Sequence, residues 1–171
     1  VSDVRGMGNE LYAHLDKVSS KVVNVRGDIH LPIINKYGTP ETLGPDRLCA
    51  AIGAKMLYPG ENCVIVDFGT AITFDFLTEK GEFLGGNISL GLGTRFKSLH
   101  HFTGKLPLLK RVDDIDNIGT TTRSAIESGV ILGTIFEIEG YIRAYSGYKF
   151  IFTGGDAIFF AEKLKSPIFV V

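Results

Sequence analysis

The pattern of hydrophobic and polar residues is clearest in the middle of the chain. An apolar run rich in β-branched residues spans 63–67, a turn follows at Gly69, and apolar and polar residues alternate over 71–77. A further apolar stretch covers 82–89, and two adjacent glycines inside it predict a bulge or a group packed against the backbone. Because short turns separate these stretches, the pattern predicts an antiparallel meander of three strands.

Helical spacing of apolar residues appears twice before this meander. Residues 9–20 form one such pattern, which leads into a predicted strand over 21–25. A second helix is predicted to begin at Pro45, a residue favoured at the first helical position, and to stop before Pro59. Its predicted apolar stripe consists of Leu48, Ala51, Ile52 and Met56.

Two more helices are predicted after the meander. Thr94 is a predicted cap for a helix that continues to about residue 101, and residues 118–122 precede the longest helical pattern in the chain. The predicted buried face of that long helix consists of Ile126, Val130, Ile131, Thr134, Ile135 and Ile138. Gly129 and Gly133 lie one turn apart, which predicts close packing of another helix, either within the chain or across a dimer.

The last part of the chain is predicted to contain a strand over 149–152, a turn with two glycines, a helix over 157–164 and a strand-like run. From residue 63 onward this order of elements is the ribonuclease-H-like order, in which helices pack on a mixed sheet. The sequence therefore predicts an α/β fold.

A domain boundary is predicted at the charged stretch over 58–62, which contains proline and glycine. Residues 1–61 are then part of an N-terminal α/β lobe, and residues 62–171 form a second lobe. The chain opens on Val1 instead of methionine and stops inside an apolar run, so we expect further residues at both ends of the natural protein.

Composition narrows the classes of function. A chain of 171 residues that is 44% hydrophobic has enough length and apolar surface for a sizeable core, and no segment has the apolar length of a membrane span. The net charge of −1 argues against a nucleic-acid partner, because such proteins usually carry a basic excess. One local basic cluster is either a solvated helix face or a polyanion site, and it consists of Arg95, Lys97, His100, His101 and Lys105.

The chain has two cysteines, which are too few for a disulfide framework or a set of metal ligands. Both Cys49 and Cys63 fall in apolar patterns, so both are predicted to be small core residues. This usage fits a reducing cytoplasm.

Candidate chemistry lies at the turns. Asp67 and Thr70 place a carboxylate and a hydroxyl beside Gly69, which suits a phosphate with its cation, although an ordinary hairpin turn carries the same residues. Asp46 is predicted in the first turn of a helix, where the dipole favours negative charge. It is either a functional carboxylate or a capping aspartate followed by a surface arginine, Arg47.

Five short motifs in one order give the chain a family resemblance. They are Tyr37 to Arg47, Asp67 to Asp75, Gly85-Gly86-Asn87-Ile88 with Leu106-Pro107 downstream, Ile118 to Thr122, and Thr153 to Ala157. On these motifs the chain resembles type III pantothenate kinase, the CoaX family, formerly labelled Bvg accessory factor. The resemblance implies two ribonuclease-H-like lobes of the acetate and sugar kinase, heat-shock protein and actin superfamily. It also implies phosphorylation of pantothenate by ATP as the first step of coenzyme A biosynthesis.

The resemblance also implies roles for individual residues. Asp46 matches the general base, and the residues that match pantothenate contacts are Tyr37, Gly44, Pro45, Asp46, Arg47 and Thr122. Asp67 matches the residue near a monovalent cation, K⁺ or NH₄⁺. The nucleotide contacts are expected at Gly69, Thr70, Gly154 and Gly155, with Mg²⁺ as a further cofactor. A homodimer whose pantothenate site includes both subunits is also expected.

One family feature is missing from this sequence. Members of the family open with an Asp-x-Gly-Asn turn on their first strand, and no such motif precedes Tyr37 here. The first lobe is therefore expected to be incomplete in this sequence. Two alternatives stay open: a non-catalytic regulatory or accessory protein on the same fold, and a sugar kinase of the same superfamily, which leaves the motif from Tyr37 to Arg47 without an explanation.

Overall fold

The computed structural model describes residues 30–164 and 168–171, together with residues 14, 15, 17, 25 and 166. The helix predicted over 9–20 and the strand predicted over 21–25 lie almost entirely outside the described residues. No helix among the described residues is both long enough and apolar enough to cross a membrane.

The described residues form a mixed α/β fold, as the sequence predicts. Its elements are β1 (Ile34–Asn35), α1 (Pro45–Leu57), β2 (Cys63–Phe68), β3 (Ala71–Leu77), β4 (Glu82–Leu90), α2 (Leu92–Thr103), α3 (Thr122–Ala144), β5 (Lys149–Gly154), α4 (Ala157–Lys163) and β6 (Ile168–Val170), with a 3₁₀ turn (Pro40–Thr42) before α1. The six strands lie in one sheet in the order β1-β4-β3-β2-β5-β6.

The predicted meander is confirmed at the centre of the sheet. Strand β3 pairs antiparallel with both β2 and β4, whereas β5 pairs parallel with β2. In that parallel pair Asp67 lies opposite Thr153 and Phe68 lies opposite Gly154. The carboxyl ends of two neighbouring strands therefore meet at one edge of the sheet, which brings their following turns together.

A hydrophobic cluster covers each face of the sheet. Helices α2, α3 and α4 pack on one face, and the predicted buried face of α3 is confirmed at all six positions. Helix α1 packs on the other face through Leu48, Ala51 and Ala54, against Ile65 of β2 and Phe83 of β4. The central strands β2, β3 and β5 are thus largely buried on both sides, which holds the turns at their ends on a rigid support.

Two predictions for helix α1 are wrong. Cys49 is exposed, although it was predicted in the core, and Met56 is 77% exposed, although it was predicted in the apolar stripe. At the helical period both residues lie on the side opposite to the buried positions Leu48 and Ala51, so neither can reach the sheet. The core prediction for Cys63 is confirmed.

Two further predictions fail at α2 and α3. Helix α2 begins at Leu92, so Thr94 is not its cap; the Thr94 hydroxyl instead donates to the carbonyl oxygen of Thr70 at 2.7 Å. Gly129 and Gly133 have open space where a side chain would lie, so no helix of the described chain packs closely there. The alternative of packing across a dimer stays a prediction.

Candidate functional site

The first candidate group is built on the amino terminus of α1. Pro45 is the first residue of the helix, and Gly44 precedes it as the capping residue. The Asp46 carboxylate folds back so that its Oδ1 accepts the backbone N–H of Arg47 at 2.9 Å. A side chain at position 44 would collide with that same oxygen, so it would displace the Asp46 carboxylate from this position. The segment therefore presents an exposed carboxylate at a helix amino terminus, where the dipole favours negative charge.

The neighbouring Arg47 is not a surface residue. Its side chain is 7% exposed, and its Nε and Nη2 donate to Oδ1 of Asp75 at 2.8 and 2.6 Å. The other carboxylate oxygen of Asp75 accepts the hydroxyl of Thr73 at 3.1 Å. Two of the five donors of the guanidinium are thereby fixed to a carboxylate on the central strand of the meander.

Burial and charge pairing act in opposite directions on this pair. Burial works to lower the pKa of Arg47, but hydrogen bonds and charge attraction, first from Asp75 and then from Tyr37, together leave that pKa raised. Burial raises the pKa of Asp75, and the bonds from Arg47 and Thr73 offset that rise only partly. The arginine is therefore the main group that keeps the buried carboxylate ionised.

Tyr37 completes this group from the edge of the sheet. The Arg47 guanidinium carbon lies 5.4 Å from the centre of the Tyr37 ring, within the range of a cation–π contact. The same ring lies against Gly85, which has a φ of +101° and where an added Cβ would come within 2.9 Å of the ring. The pairing register of β3 and β4 also shifts here, so the predicted bulge and the predicted close packing both occur.

The second group is the turn between β2 and β3. The N–H of Gly69 closes this turn by donating a hydrogen bond to the carbonyl oxygen of Ala71 at 3.0 Å. The Thr70 carbonyl accepts two bonds, one from the N–H of Gly91 at 3.0 Å and one from the Thr94 hydroxyl. A side chain on Gly91 would collide with the carbonyl oxygen of Gly69. The turn is thus fixed against the amino terminus of α2, where helix N–H groups favour an anion.

Asp67 lies at the entry to this turn, and no hydrogen bond from the described residues reaches its carboxylate. Its pKa is raised, first by burial and then by the negative charges of Asp46 and Asp75. The three carboxylates therefore act on one another within one region of the molecule. Within the described part of the chain, no cluster of three or more possible metal ligands occurs. Asp67 could supply one ligand to a cation, whose charge would relieve this repulsion, while the other ligands would come from substrate or water.

The third group is the turn after β5. Gly154 has a φ of +91°, and a side chain there would collide with the Asp67 carboxylate and come within 2.7 Å of the Phe68 backbone. Gly155 continues the turn into α4. Because the two turns touch at Gly154 and Asp67, the second and third groups form one continuous surface at the edge of the sheet.

Thr122 lies in a different place from the other predicted substrate residues. It is the first residue of α3 and is exposed. It lines an apolar groove of about 880 Å³ between α2 and α3, together with Leu90, Arg95, Leu99, Phe102, Leu106 and Gly129 among others. None of the other predicted site residues lines this groove.

Sequence reasoning missed two internal ion pairs. Asp75 was part of a quoted motif, but its pairing with Arg47 was not foreseen; the signal was the placement of Thr73 and Asp75 on one face of an otherwise apolar strand. Arg95 donates to the Leu90 carbonyl at 2.8 Å and pairs with Glu137. Its charge is therefore compensated within the chain, which weakens the interpretation of its basic cluster as a polyanion site.

Comparison with known proteins shows which family the chain is similar to. The family model for type III pantothenate kinase matches residues 4–144. The type III pantothenate kinase of Flavobacterium johnsoniae is 45% identical over 156 residues, covering 87% of this chain and 64% of the relative. That of Bacteroides fragilis is 42% identical and covers 99% of this chain and 71% of the relative. The chain thus spans roughly two thirds of the length of these relatives.

A solved structure has a similar fold. The crystal structure of a Campylobacter jejuni protein, described as a conserved Baf family transcriptional activator, superimposes with a TM-score of 0.64 and covers 96% of this chain and 72% of that one. At 24% sequence identity this likeness concerns the fold alone.

Proposed function

The chain belongs to the type III pantothenate kinase family, and we propose that this protein transfers the γ-phosphoryl group of ATP to pantothenate in the first step of coenzyme A biosynthesis. The observation that best supports this proposal is that one set of contacts joins Asp46 to the strand pair that carries Asp67. The Asp46 carboxylate accepts the N–H of Arg47, and the Arg47 side chain bonds Asp75. Asp67 lies opposite Thr73, whose hydroxyl bonds the same Asp75. Asp46 matches the family's general base, and Asp67 lies at a turn suited to phosphate and its cation. Phosphoryl transfer needs these two groups near one another.

We propose that residues 62–171 form a ribonuclease-H-like lobe of the acetate and sugar kinase, heat-shock protein and actin superfamily. The strand order and the mixed pairing of the sheet support this assignment. Residues 1–61, which carry the motif from Tyr37 to Arg47, would be part of the first lobe, joined through β1 and α1 to the sheet of the second. The nucleotide would lie at the edge of the sheet where the turns after β2 and β5 touch.

In the proposed reaction Asp46 is the general base. Its carboxylate is exposed at a helix amino terminus and oriented by the N–H of Arg47. A carboxylate in this position can orient the pantothenate hydroxyl and accept its proton as the bond to phosphorus forms. Gly44 and Pro45 would contact pantothenate beside it, because both residues shape the same first turn.

Arg47 and Tyr37 would hold pantothenate next to the base. Asp75 takes two of the arginine donors, and the donors that remain would bind oxygens of the substrate. The Tyr37 ring, packed on the guanidinium, limits how far that side chain can move. Thr122, which lines the groove between α2 and α3, would contact the substrate only in a dimer.

The nucleotide would be bound by backbone and hydroxyl groups. Gly69 and Thr70 would contact the phosphates beside the amino terminus of α2, and Gly154 and Gly155 would border the adenosine side. Asp67 would hold a cation, either Mg²⁺ or a monovalent ion such as K⁺ or NH₄⁺. When bound, such a cation neutralises charge that develops on the phosphates.

We propose that the protein is a homodimer that acts in the cytoplasm and that α3 forms the dimer contact. The groove between α2 and α3 is apolar, and Phe102 at its rim is 82% exposed. Gly129 and Gly133 leave open space where a helix of a second copy can approach closely. Such a contact would bring Thr122 of one copy toward the partner's substrate site.

The alternative of a non-catalytic regulatory protein has less support. It gives no reason for an exposed carboxylate held by the N–H of a buried arginine, and the match to named kinases favours catalysis. The sugar kinase alternative gives no account of the motif from Tyr37 to Arg47.

Substitution of the base tests the proposal. Asp46→Asn keeps the shape of the side chain, so the fold should persist, whereas kcat for pantothenate phosphorylation should fall by about 10²-fold or more. Asp114→Asn, at an exposed aspartate outside the three site groups, is the matched control and should retain full activity. An undiminished rate for Asp46→Asn would refute the assignment of the base. Competition by hexoses for phosphorylation would favour the sugar kinase alternative.

A further inference from the structure

One buried carboxylate takes no part in the proposed reaction. Asp75 lies in β3 with 1% of its surface exposed, opposite Ile65 of β2 and Gly86 of β4. Its Oδ1 accepts two hydrogen bonds from Arg47, and its Oδ2 accepts one from Thr73. Because both oxygens are bonded within the chain and shielded from solvent, Asp75 is not a group that contacts substrate.

We propose that Asp75 is the positioning residue of the pantothenate site, a role that rests on the proposed function of that site. Asp75 holds the Arg47 side chain, and the backbone N–H of Arg47 holds the Asp46 carboxylate at 2.9 Å. The first turn of α1 is thereby tied to the central strands of the sheet. The orientation of the base is set from the core, by a residue 28 positions after Arg47 in the sequence.

The Tyr37 ring joins the same arrangement. It lies over the guanidinium that Asp75 fixes, and it also lies against the backbone at Gly85. Three of the proposed pantothenate residues, Tyr37, Asp46 and Arg47, are therefore linked to one carboxylate. The nucleotide turn is fixed by other contacts, those of Gly91 and Thr94 with Thr70.

Stability alone does not account for this ion pair. Taking two charges out of water is unfavourable, and apolar residues of similar volume often stabilise a core as well or better. A buried pair next to a proposed active site is better explained by the fixed direction that a forked arginine and a carboxylate impose on each other. This explanation predicts that loss of the pair impairs the use of pantothenate and leaves the binding of ATP unchanged.

Steady-state kinetics with each substrate varied in turn can separate positioning from stability. In Asp75→Asn the acceptor shape remains but the charge that holds Arg47 is lost. We expect kcat/KM for pantothenate to fall about 10- to 100-fold, while the KM for ATP changes by less than about twofold. Ile138→Ala, a core change under α3 on the opposite face of the sheet, is the stability control and should alter neither KM.

Thr73→Val is a second, milder variant in case Asp75→Asn does not fold. It removes only the hydrogen bond to Oδ2, suits a strand, and should raise the KM for pantothenate about threefold without changing the KM for ATP. If the folded variants leave both kcat/KM and KM for pantothenate unchanged, or raise the two KM values equally, the positioning role is refuted while the proposed function stands. If the unsubstituted protein does not phosphorylate pantothenate, the proposed function has failed and the role of Asp75 fails with it.

Discussion

Replacing Arg47 by methionine should destabilise the fold strongly, because it leaves Asp75 as an unpaired charge in the core. Asp75 is 1% exposed, and without Arg47 the Thr73 hydroxyl is the only group of the described residues that still bonds it. Breaking a buried pair by removal of one partner lowers the free energy of unfolding by about 3–5 kcal/mol. For a domain of this size that corresponds to a fall in Tm of about 6–20 °C.

The loss of stability in Arg47→Met should also depend on pH. Burial already raises the pKa of Asp75, and removal of Arg47 removes the main group that opposes the rise. A folded-state pKa above the unfolded value means that the destabilisation is present at high pH and disappears as the pH falls below the unfolded value of about 4. The difference in Tm between Arg47→Met and the unsubstituted protein should therefore shrink between pH 7 and acidic pH.

Thermal melts followed by circular dichroism across this pH range measure both effects. The control is the double variant Arg47→Met/Asp75→Leu, in which neither charge of the pair is left and most of the stability should return. A single variant that melts within about 2 °C of the unsubstituted protein at pH 7 would contradict the magnitude expected for a buried pair. A difference in Tm that does not shrink on acidification would contradict the assignment to Asp75.

Three further outcomes follow from the geometry. Gly154→Ala places a side chain at a φ of +91° and against Asp67, so it should lower the free energy of unfolding by about 1–3 kcal/mol and raise the KM for ATP. Gly147→Ala is the control, because its side chain meets nothing within 4 Å, and it should change neither the stability nor the KM for ATP. Burial raises the pKa of the Cys63 thiol to about 11, so at pH 8 a chromogenic disulfide reagent should label the exposed Cys49 and leave Cys63 unlabelled in the folded chain. Rapid labelling of both thiols would contradict the burial of Cys63. Phe102→Glu should shift the protein from dimer to monomer in sedimentation equilibrium, whereas Ile158→Glu, at an exposed position on α4, should leave the dimer intact. A dimer that persists in Phe102→Glu would exclude the groove as the interface.

Local pattern was enough to predict the central part of the fold. The three strands of the meander and the buried face of α3 follow from periodicity alone, because each residue's environment there is decided by its own element. The turn at Gly154 was also predicted, since few residues besides glycine adopt its backbone conformation.

The contacts that organise the candidate site could not be predicted in the same way. Arg47 and Asp75 are 28 residues apart, on a helix and on a strand, so nothing local to either residue indicates the pair. The same holds for Thr94, whose hydroxyl bonds a turn that precedes it by 24 residues instead of capping its own helix. Cys49 was misplaced because an apolar neighbourhood in sequence does not say which side of a helix faces the sheet.

Transfer of a labelled phosphoryl group tests the central claim most directly. The protein is incubated with pantothenate, Mg²⁺, K⁺ and ATP that carries an isotopic label in its γ-phosphate, and the products are resolved by mass spectrometry. We expect labelled phosphopantothenate and ADP in equal amounts, and neither product above background with Asp46→Asn. Release of labelled inorganic phosphate without phosphopantothenate, or labelled product in equal yield from the Asp46→Asn variant, would contradict the proposed function.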